Sequence, residues 1–139
     1  MFCEIAYWTY YLCSKNKYLV REGTVTFVSL MFTSIHEYTN IACIIQLVGY
    51  YFGYNILGCI RIGSRYDPFS WFIGLILISP FLWFNYKRYF NIVKLNKTIE
   101  RYASMSRGRH IAGILCYTIY VILTYYIFYV AFQIIGKYL

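Results

Sequence analysis

Residues 24–53 read TVTFVSLMFTSIHEYTNIACIIQLVGYYFG, an apolar run that carries His36 and Glu37 near its middle. As a helix, a run of this length spans about 45 Å, which exceeds the roughly 30 Å hydrocarbon core of a bilayer. The run therefore predicts a membrane-spanning helix that is tilted, or broken near Gly49 and Gly53. Because ionisable side chains at membrane depth are costly, His36 and Glu37 are the first candidates for a functional site.

The polar side chains of this run recur at steps of three and four residues. On a helix they share one face, and apolar side chains such as Phe27, Ile35 and Ala42 occupy the opposite face. The polar face carries Thr26, Ser29, Thr33, His36, Glu37, Asn40 and Cys43. Its centre, the intramembrane stripe, consists of Thr33, His36, Glu37 and Asn40. We predict that this stripe turns toward protein or water and that the opposite face turns toward lipid.

The composition restricts the class of protein. The 139 residues are 60% hydrophobic and only 13% charged, against about 25% charged in soluble domains. A chain this short cannot bury so much apolar surface in its own core. The net charge of +8 comes from basic residues that cluster beside the hydrophobic runs, a pattern typical of membrane topology and not of a nucleic-acid-binding face. We predict an all-α integral membrane protein, surrounded by the lipid bilayer.

A single membrane domain with three spans is predicted along the chain. The predicted spans are residues 24–53, 69–86 and 111–136. Residues 1–22 form a short aromatic helix at the membrane interface and a basic flank, residues 54–68 an external loop, and residues 87–109 a basic amphipathic helix that extends the second span into the cytoplasm. The uncharged run in residues 5–14 is too short for a further span. Pro80 predicts a kink in the second span.

The distribution of positive charge predicts the orientation. Of the thirteen Lys and Arg residues, all but Arg61, Arg65 and Lys137 fall on the cytoplasmic side if the N-terminus is inside. The positive-inside rule therefore favours an internal N-terminus and an external C-terminus. The richness in Tyr, Ile and Asn fits an AT-rich bacterial genome, and hence the bacterial inner membrane.

The basic segment, residues 87–109, has two readings. Its positive residues gather on one face of the predicted helix, as a contact surface for anionic lipid or a partner protein would require. The contact residues would be Lys87, Lys94, Lys97 and Arg101, opposite an apolar stripe of Ile92, Leu95, Ile99 and Tyr102. The other reading is ordinary positive-inside topology with a solvated helix face.

Residues 49–53 form a G-x-x-x-G pattern, in which Gly49 and Gly53 would allow close packing between spanning helices. The pattern favours self-association or pairing with another membrane protein. The third span carries hydroxyl groups, for example on Tyr117, Tyr120 and Thr124, and we expect these to supply a hydrogen-bond partner for Glu37.

Catalytic and metal-binding signatures are missing from the sequence. Residues 36–40, HEYTN, begin like the helical zinc motif H-E-x-x-H, but Asn40 stands where the second histidine is needed. The five acidic residues are scattered, with no pair at acid–base spacing on one face. We therefore predict a protein that is not an enzyme and has no catalytic residue, cofactor or metal site.

Two hypotheses for function follow. The first is a small non-enzymatic membrane protein that self-associates or serves as a membrane subunit, with a pore-forming or effector role as one form of it. The alternative is a proton- or ion-coupled transporter or enzyme subunit that uses Glu37 and His36.

Overall fold

The computed structural model describes residues 2–16, 18, 19, 21–54, 68–131 and 133. Every regular element in this part of the chain is helical, which confirms the all-α prediction. The elements are α1 (Phe2–Ser14), α2 (Glu22–Tyr51), α3 (Pro68–Asn85), a π-helical turn (Tyr86–Phe90), α4 (Ile92–Ala103) and α5 (Arg107–Val130). The predicted external loop and the last residues of the predicted third span lie largely outside the described residues.

The long helix α2 is the centre of the bundle and packs against α1, α3 and α5. In the described part of the chain, no Cα atom of α3 lies within 8 Å of a Cα atom of α5. The two helices therefore flank α2 with their backbones held apart. This arrangement leaves a groove between α3 and α5, with α2 as its floor.

The C-terminus of α2 gives Gly53 a different role from the one predicted. Helix α2 ends at Tyr51, and Gly53 has a φ of 73°, the left-handed conformation that favours glycine. Its N–H donates to the Tyr50 carbonyl at 3.1 Å, and the Tyr54 N–H donates to the Gly49 carbonyl at 2.8 Å. These two bonds form a Schellman motif. Gly53 thus terminates the helix, and the packing of Gly49 and Gly53 against another helix stays a prediction.

Helix α1 is helical as predicted, but it is a core element of the bundle. Five consecutive residues, Ile5, Ala6, Tyr7, Trp8 and Thr9, are all buried. Consecutive residues on a helix point in different directions, so α1 is enclosed over this turn and a half, by α2, α4, α5 and the π turn. The Tyr7 ring stacks on Tyr102 of α4 with centroids 4.3 Å apart. Its predicted position at a membrane interface stays a prediction.

The basic segment is a separate helix and not the continuous extension of α3 that was expected. The π turn widens the end of α3, and Asn91 then leaves helical geometry with a ψ of 135°. The Asn91 side chain accepts a hydrogen bond from the Val93 N–H at 3.3 Å, so it acts as the N-cap of α4. Asparagine is a preferred N-cap residue, which explains why the chain breaks here. Within α4, Leu95 and Tyr102 are buried as the apolar stripe predicts, whereas Ile92 is exposed.

Helix α5 is the one described helix that is long and apolar enough to cross a membrane by length and hydropathy. Only 6% of its most apolar window is buried inside the protein. The apolar core helix of a soluble protein would be mostly buried, so this exposure is unusual for an aqueous environment.

Candidate functional site in the polar interior

The polar face of α2 lies inside the bundle. Ser29, Thr33, His36, Glu37 and Cys43 are buried, and Asn40 is partly buried. On the opposite face, Phe27 is 61% exposed. Ala42 is an exception, because it was expected on the exposed face and is buried. The four residues of the intramembrane stripe therefore all face other helices, but they do not face the same helix.

Glu37 contacts α3. Its Oε2 accepts a hydrogen bond from Nδ2 of Asn85 at 2.7 Å, and the same Nδ2 lies 3.2 Å from Oγ of Ser34. Asn85 is the last residue of α3 and is fully buried. Arg88, on the π turn, is close enough to Glu37 to interact with it electrostatically. The sequence expectation of a hydroxyl partner on the third span is therefore wrong for Glu37, whose partner is a carboxamide on the second.

Asn85 is the residue that sequence reasoning missed. It is the last residue of an apolar run that contains no charged side chain, and an amide at such a position needs a hydrogen-bond partner once it is buried. That signal is present in the sequence, but it does not identify the partner.

The hydroxyl groups of α5 meet other residues. Nδ2 of Asn40 donates to the Tyr120 hydroxyl at 2.5 Å, and the Thr124 hydroxyl donates to Oδ1 of Asn40 at 3.4 Å. Nearer the start of α5, Tyr117 lies 2.7 Å from Oγ1 of Thr9. Since the Thr9 hydroxyl already donates to the carbonyl of its own helix, Tyr117 is the donor in this pair. These bonds join α5 to both α2 and α1.

His36 faces α5 and not α3. Its Nδ1 lies 2.7 Å from the Phe32 carbonyl, and because a carbonyl only accepts, Nδ1 carries the proton. The other ring nitrogen, Nε2, is buried and has no hydrogen-bond partner among the described residues. The ring of Tyr125 meets the imidazole edge-on at 5.3 Å, and Tyr117 and Tyr120 lie at 6.4 and 6.3 Å. No hydrogen bond joins His36 to Glu37 in the described structure, so the two residues serve different helix contacts.

The groove between α3 and α5 has a volume of about 880 Å³. Glu37, Asn40, Arg88 and Tyr120 provide its polar lining, and the remaining lining is mainly aliphatic and aromatic. Two residues of the intramembrane stripe, Glu37 and Asn40, therefore border this groove. Thr33 and His36 do not line it.

The predicted basic contact residues divide into two groups. Nζ of Lys87 lies 4.3 Å from the centroid of the Trp83 ring, and Nζ of Lys94 donates to the Lys87 carbonyl at 2.8 Å. These two lysines are thus organised around the π turn. Lys97 and Arg101 are exposed on α4. Arg88, which the sequence analysis did not single out, is the basic residue that reaches the groove.

Metal-binding clusters of three or more His, Cys, Asp or Glu side chains do not occur among the described residues. No family model, curated protein or solved structure matches this chain.

Proposed function

We propose that this chain is a three-span, non-enzymatic membrane protein that acts as a subunit of a homo-oligomer or of a larger membrane complex. Helices α2, α3 and α5 are the spans, the N-terminus lies in the cytoplasm of a bacterial cell, and the C-terminus lies outside. Helix α4 rests on the cytoplasmic side.

The observation that carries this proposal is the distribution of polarity, which is opposite to that of a water-soluble protein. Polar side chains are buried on the facing sides of the helices, namely Ser29, Thr33, Ser34, His36, Glu37, Gln46, Asn85 and Thr124. Large apolar side chains are exposed on their outer sides, for example Ile45, Val48, Phe72, Leu75, Ile76, Leu115, Ile119 and Ile122. Exposed apolar surface costs about 25 cal/mol per Å² in water. Lipid is the surrounding that removes this cost on all three helices at once.

The dimensions of the helices support three spans. At 1.5 Å per residue, the 18 residues of α3 extend about 27 Å and the 24 residues of α5 about 36 Å. Both values suit a core of about 30 Å. The 30 residues of α2 allow a tilted span, and the polar face that lowers its mean hydropathy is covered by other helices.

The hydrogen bonds of the polar interior support a structural role for two residues of the stripe, Glu37 and Asn40. Glu37 joins α2 to α3 through Asn85, and Asn40 joins α2 to α5 through Tyr120. In lipid, such interhelical bonds hold spans together because an unpaired polar group has no water to bond. Three helices enclose little space, so activity is expected to need further copies or a partner.

Membrane insertion is tested by fractionation after expression with a small tag. The protein should stay in the membrane pellet through an alkaline carbonate wash and enter solution only with detergent; release by carbonate would overturn the proposal. A reporter that is active only outside the cytoplasm should be on after Leu139 and off after Ser104. The reverse pattern would refute the orientation.

Native mass spectrometry tests the subunit role. Gentle extraction should yield a discrete oligomer or a complex with another membrane protein. A strictly monomeric particle under every mild detergent would contradict this part of the proposal.

The alternative function, proton or ion coupling through Glu37 and His36, is favoured by one observation. His36 carries a buried Nε2 without a partner in the described structure, one residue from a carboxyl group that borders the groove. Flux into proteoliposomes at several pH values separates the two functions. If coupling is the function, flux should depend on pH and disappear in Glu37→Gln, whereas Glu100→Gln, on the exposed face of α4, should retain it.

A further inference from the structure

The groove between α3 and α5 is a site that the proposed function leaves unused. Its volume of about 880 Å³ falls within the roughly 300–1,000 Å³ of ligand sites in proteins. The backbones of α3 and α5 stay more than 8 Å apart in the described part of the chain, which leaves room for the groove between them. In a membrane it would open sideways toward the acyl chains of one leaflet.

The lining of the groove changes in polarity along α2. Arg88 and Glu37 form its charged end, and Asn40, bonded to Tyr120, lies one turn further along. The rest of the groove is apolar and is lined by Ile41, Ile44, Leu47, Pro80, Phe81 and Ile127.

This order of groups matches the order of groups in a phospholipid. The ten residues from Glu37 to Leu47 cover about 15 Å of helix, which is half of a bilayer core of about 30 Å. A phospholipid presents the same order of groups, with its phosphate and ester groups in the headgroup region and its acyl chain in the hydrocarbon core.

Arg88 has the chemistry and the position to bind a phosphate group. It is exposed, and its guanidinium lies 5.3 Å from the centroid of the Phe84 ring and 5.7 Å from that of Tyr89. Its five N–H donors exceed what one carboxylate can accept, and the Glu37 carboxyl is already bonded to Asn85. Lys87 directly precedes Arg88 and makes a cation–π contact with Trp83. Tryptophan beside basic residues is typical of the boundary between acyl chains and headgroups.

We infer that the groove binds one anionic phospholipid, with its phosphate on Arg88 and one acyl chain lying between α3 and α5 against Ile44. Arg88 and the neighbouring Lys87 together carry more positive charge than the single Glu37 carboxyl offsets, which favours an anionic lipid over a zwitterionic one. This inference rests on the proposed function as a three-span membrane protein, and it names a specific ligand of that protein.

The test is native mass spectrometry of the full chain in micelles doped with equal amounts of phosphatidylglycerol and phosphatidylcholine. The wild type should retain one phosphatidylglycerol, with phosphatidylcholine adducts about fivefold weaker. Arg88→Gln should lower phosphatidylglycerol retention about fivefold. Arg88→Lys keeps the charge and should retain the preference in part. The matched control, Arg21→Gln, removes the same charge from an exposed residue just before α2, outside the groove lining, and should have little effect.

A second pair of variants tests the acyl chain. Ile44→Trp fills the groove and should abolish the adduct, whereas Ile45→Trp, at the neighbouring position outside the groove lining, should leave it unchanged. Circular dichroism of each variant checks that the helices are intact. An adduct that survives Ile44→Trp would overturn the inference.

Other outcomes would also overturn it. Equal losses in Arg88→Gln and Arg21→Gln would indicate diffuse surface attraction, and displacement of the lipid by soluble glycerol phosphate would indicate that only the headgroup is bound. A dimer that Ile44→Trp dissociates, with lipid binding unaltered, would place a second copy in the groove. If the protein survives the carbonate wash but shows no adduct, this inference alone fails; if it does not survive the wash, the proposed membrane position fails first.

Discussion

Replacing Glu37 by leucine removes the acceptor that ties α2 to the end of α3. In the wild type, Nδ2 of Asn85 donates to Glu37 at 2.7 Å and lies 3.2 Å from Ser34. After Glu37→Leu, only the longer of these contacts remains for an amide on a fully buried residue. Leucine also leaves the α2 backbone unchanged and has a volume similar to that of glutamate. The loss in the free energy of unfolding therefore reports mainly on the hydrogen bond.

The expected magnitude follows from the size of interhelical hydrogen bonds in membrane proteins, which average about 0.6 kcal/mol and reach about 1.7 kcal/mol. The short distance and complete burial of this pair place it above the average, so we expect Glu37→Leu to lower the free energy of unfolding by about 1 kcal/mol. Glu37→Gln should change it by only a few tenths of a kcal/mol. The Gln carboxamide keeps an oxygen acceptor for Asn85, and turning over the Asn85 amide would let the Gln N–H₂ donate instead.

The assay is reversible unfolding in mixed micelles with increasing dodecyl sulfate, applied to a double-mutant cycle of Glu37→Leu and Asn85→Leu. The coupling free energy should be about 1 kcal/mol. Glu100→Leu, on the exposed face of α4, supplies the control cycle with Asn85→Leu and should be additive. A Glu37–Asn85 coupling below about 0.3 kcal/mol, the usual error of additivity, would refute the assignment of this pair as a link between α2 and α3.

Three further changes test the fold by the same unfolding measurement. Gly113→Ala should lower the free energy of unfolding by about 1–3 kcal/mol, because a Cβ there would lie 2.7 Å from Cε2 of the buried Trp8 ring. Gly108→Ala should not lower it, because the space around Gly108 is open. Gly53→Ala should cost about 1–2 kcal/mol for its left-handed φ, whereas Gly23→Ala, inside α2 and unobstructed, should stabilise by up to about 1 kcal/mol. Tyr117→Phe should lower the free energy of unfolding by about 1 kcal/mol, because it removes the hydroxyl that donates to Oγ1 of the buried Thr9. A value near zero for any of the three destabilising changes would contradict the contact concerned.

The all-helical class and the positions of α2 and α3 along the chain follow from the sequence. The predicted runs 24–53 and 69–86 differ from α2 and α3 by at most two residues at either end. Hydrophobicity and helix periodicity are local properties, so they locate a helix and its polar face without knowledge of the neighbours. The prediction that the α2 stripe turns toward protein or water rests on the same periodicity, and in the structure the stripe lies inside the bundle.

Two local features of the sequence explain where the helix ends differ from the predicted ones. Asn91 is a good N-cap, and it separates α4 from α3 where an amphipathic pattern alone suggests one continuous helix. Gly53 belongs to a Schellman motif that ends α2 just before it.

Only the tertiary structure decided which polar groups meet. The sequence contains hydroxyl, amide and carboxyl groups on several helices, and the pairing of Glu37 with Asn85 and of Asn40 with Tyr120 depends on the order of helices around α2. The burial of Trp8 on α1 and the groove that Arg88 borders depend on it as well. Periodicity determines the direction in which a side chain leaves its own helix, but the partner it meets depends on contacts between residues far apart in the chain.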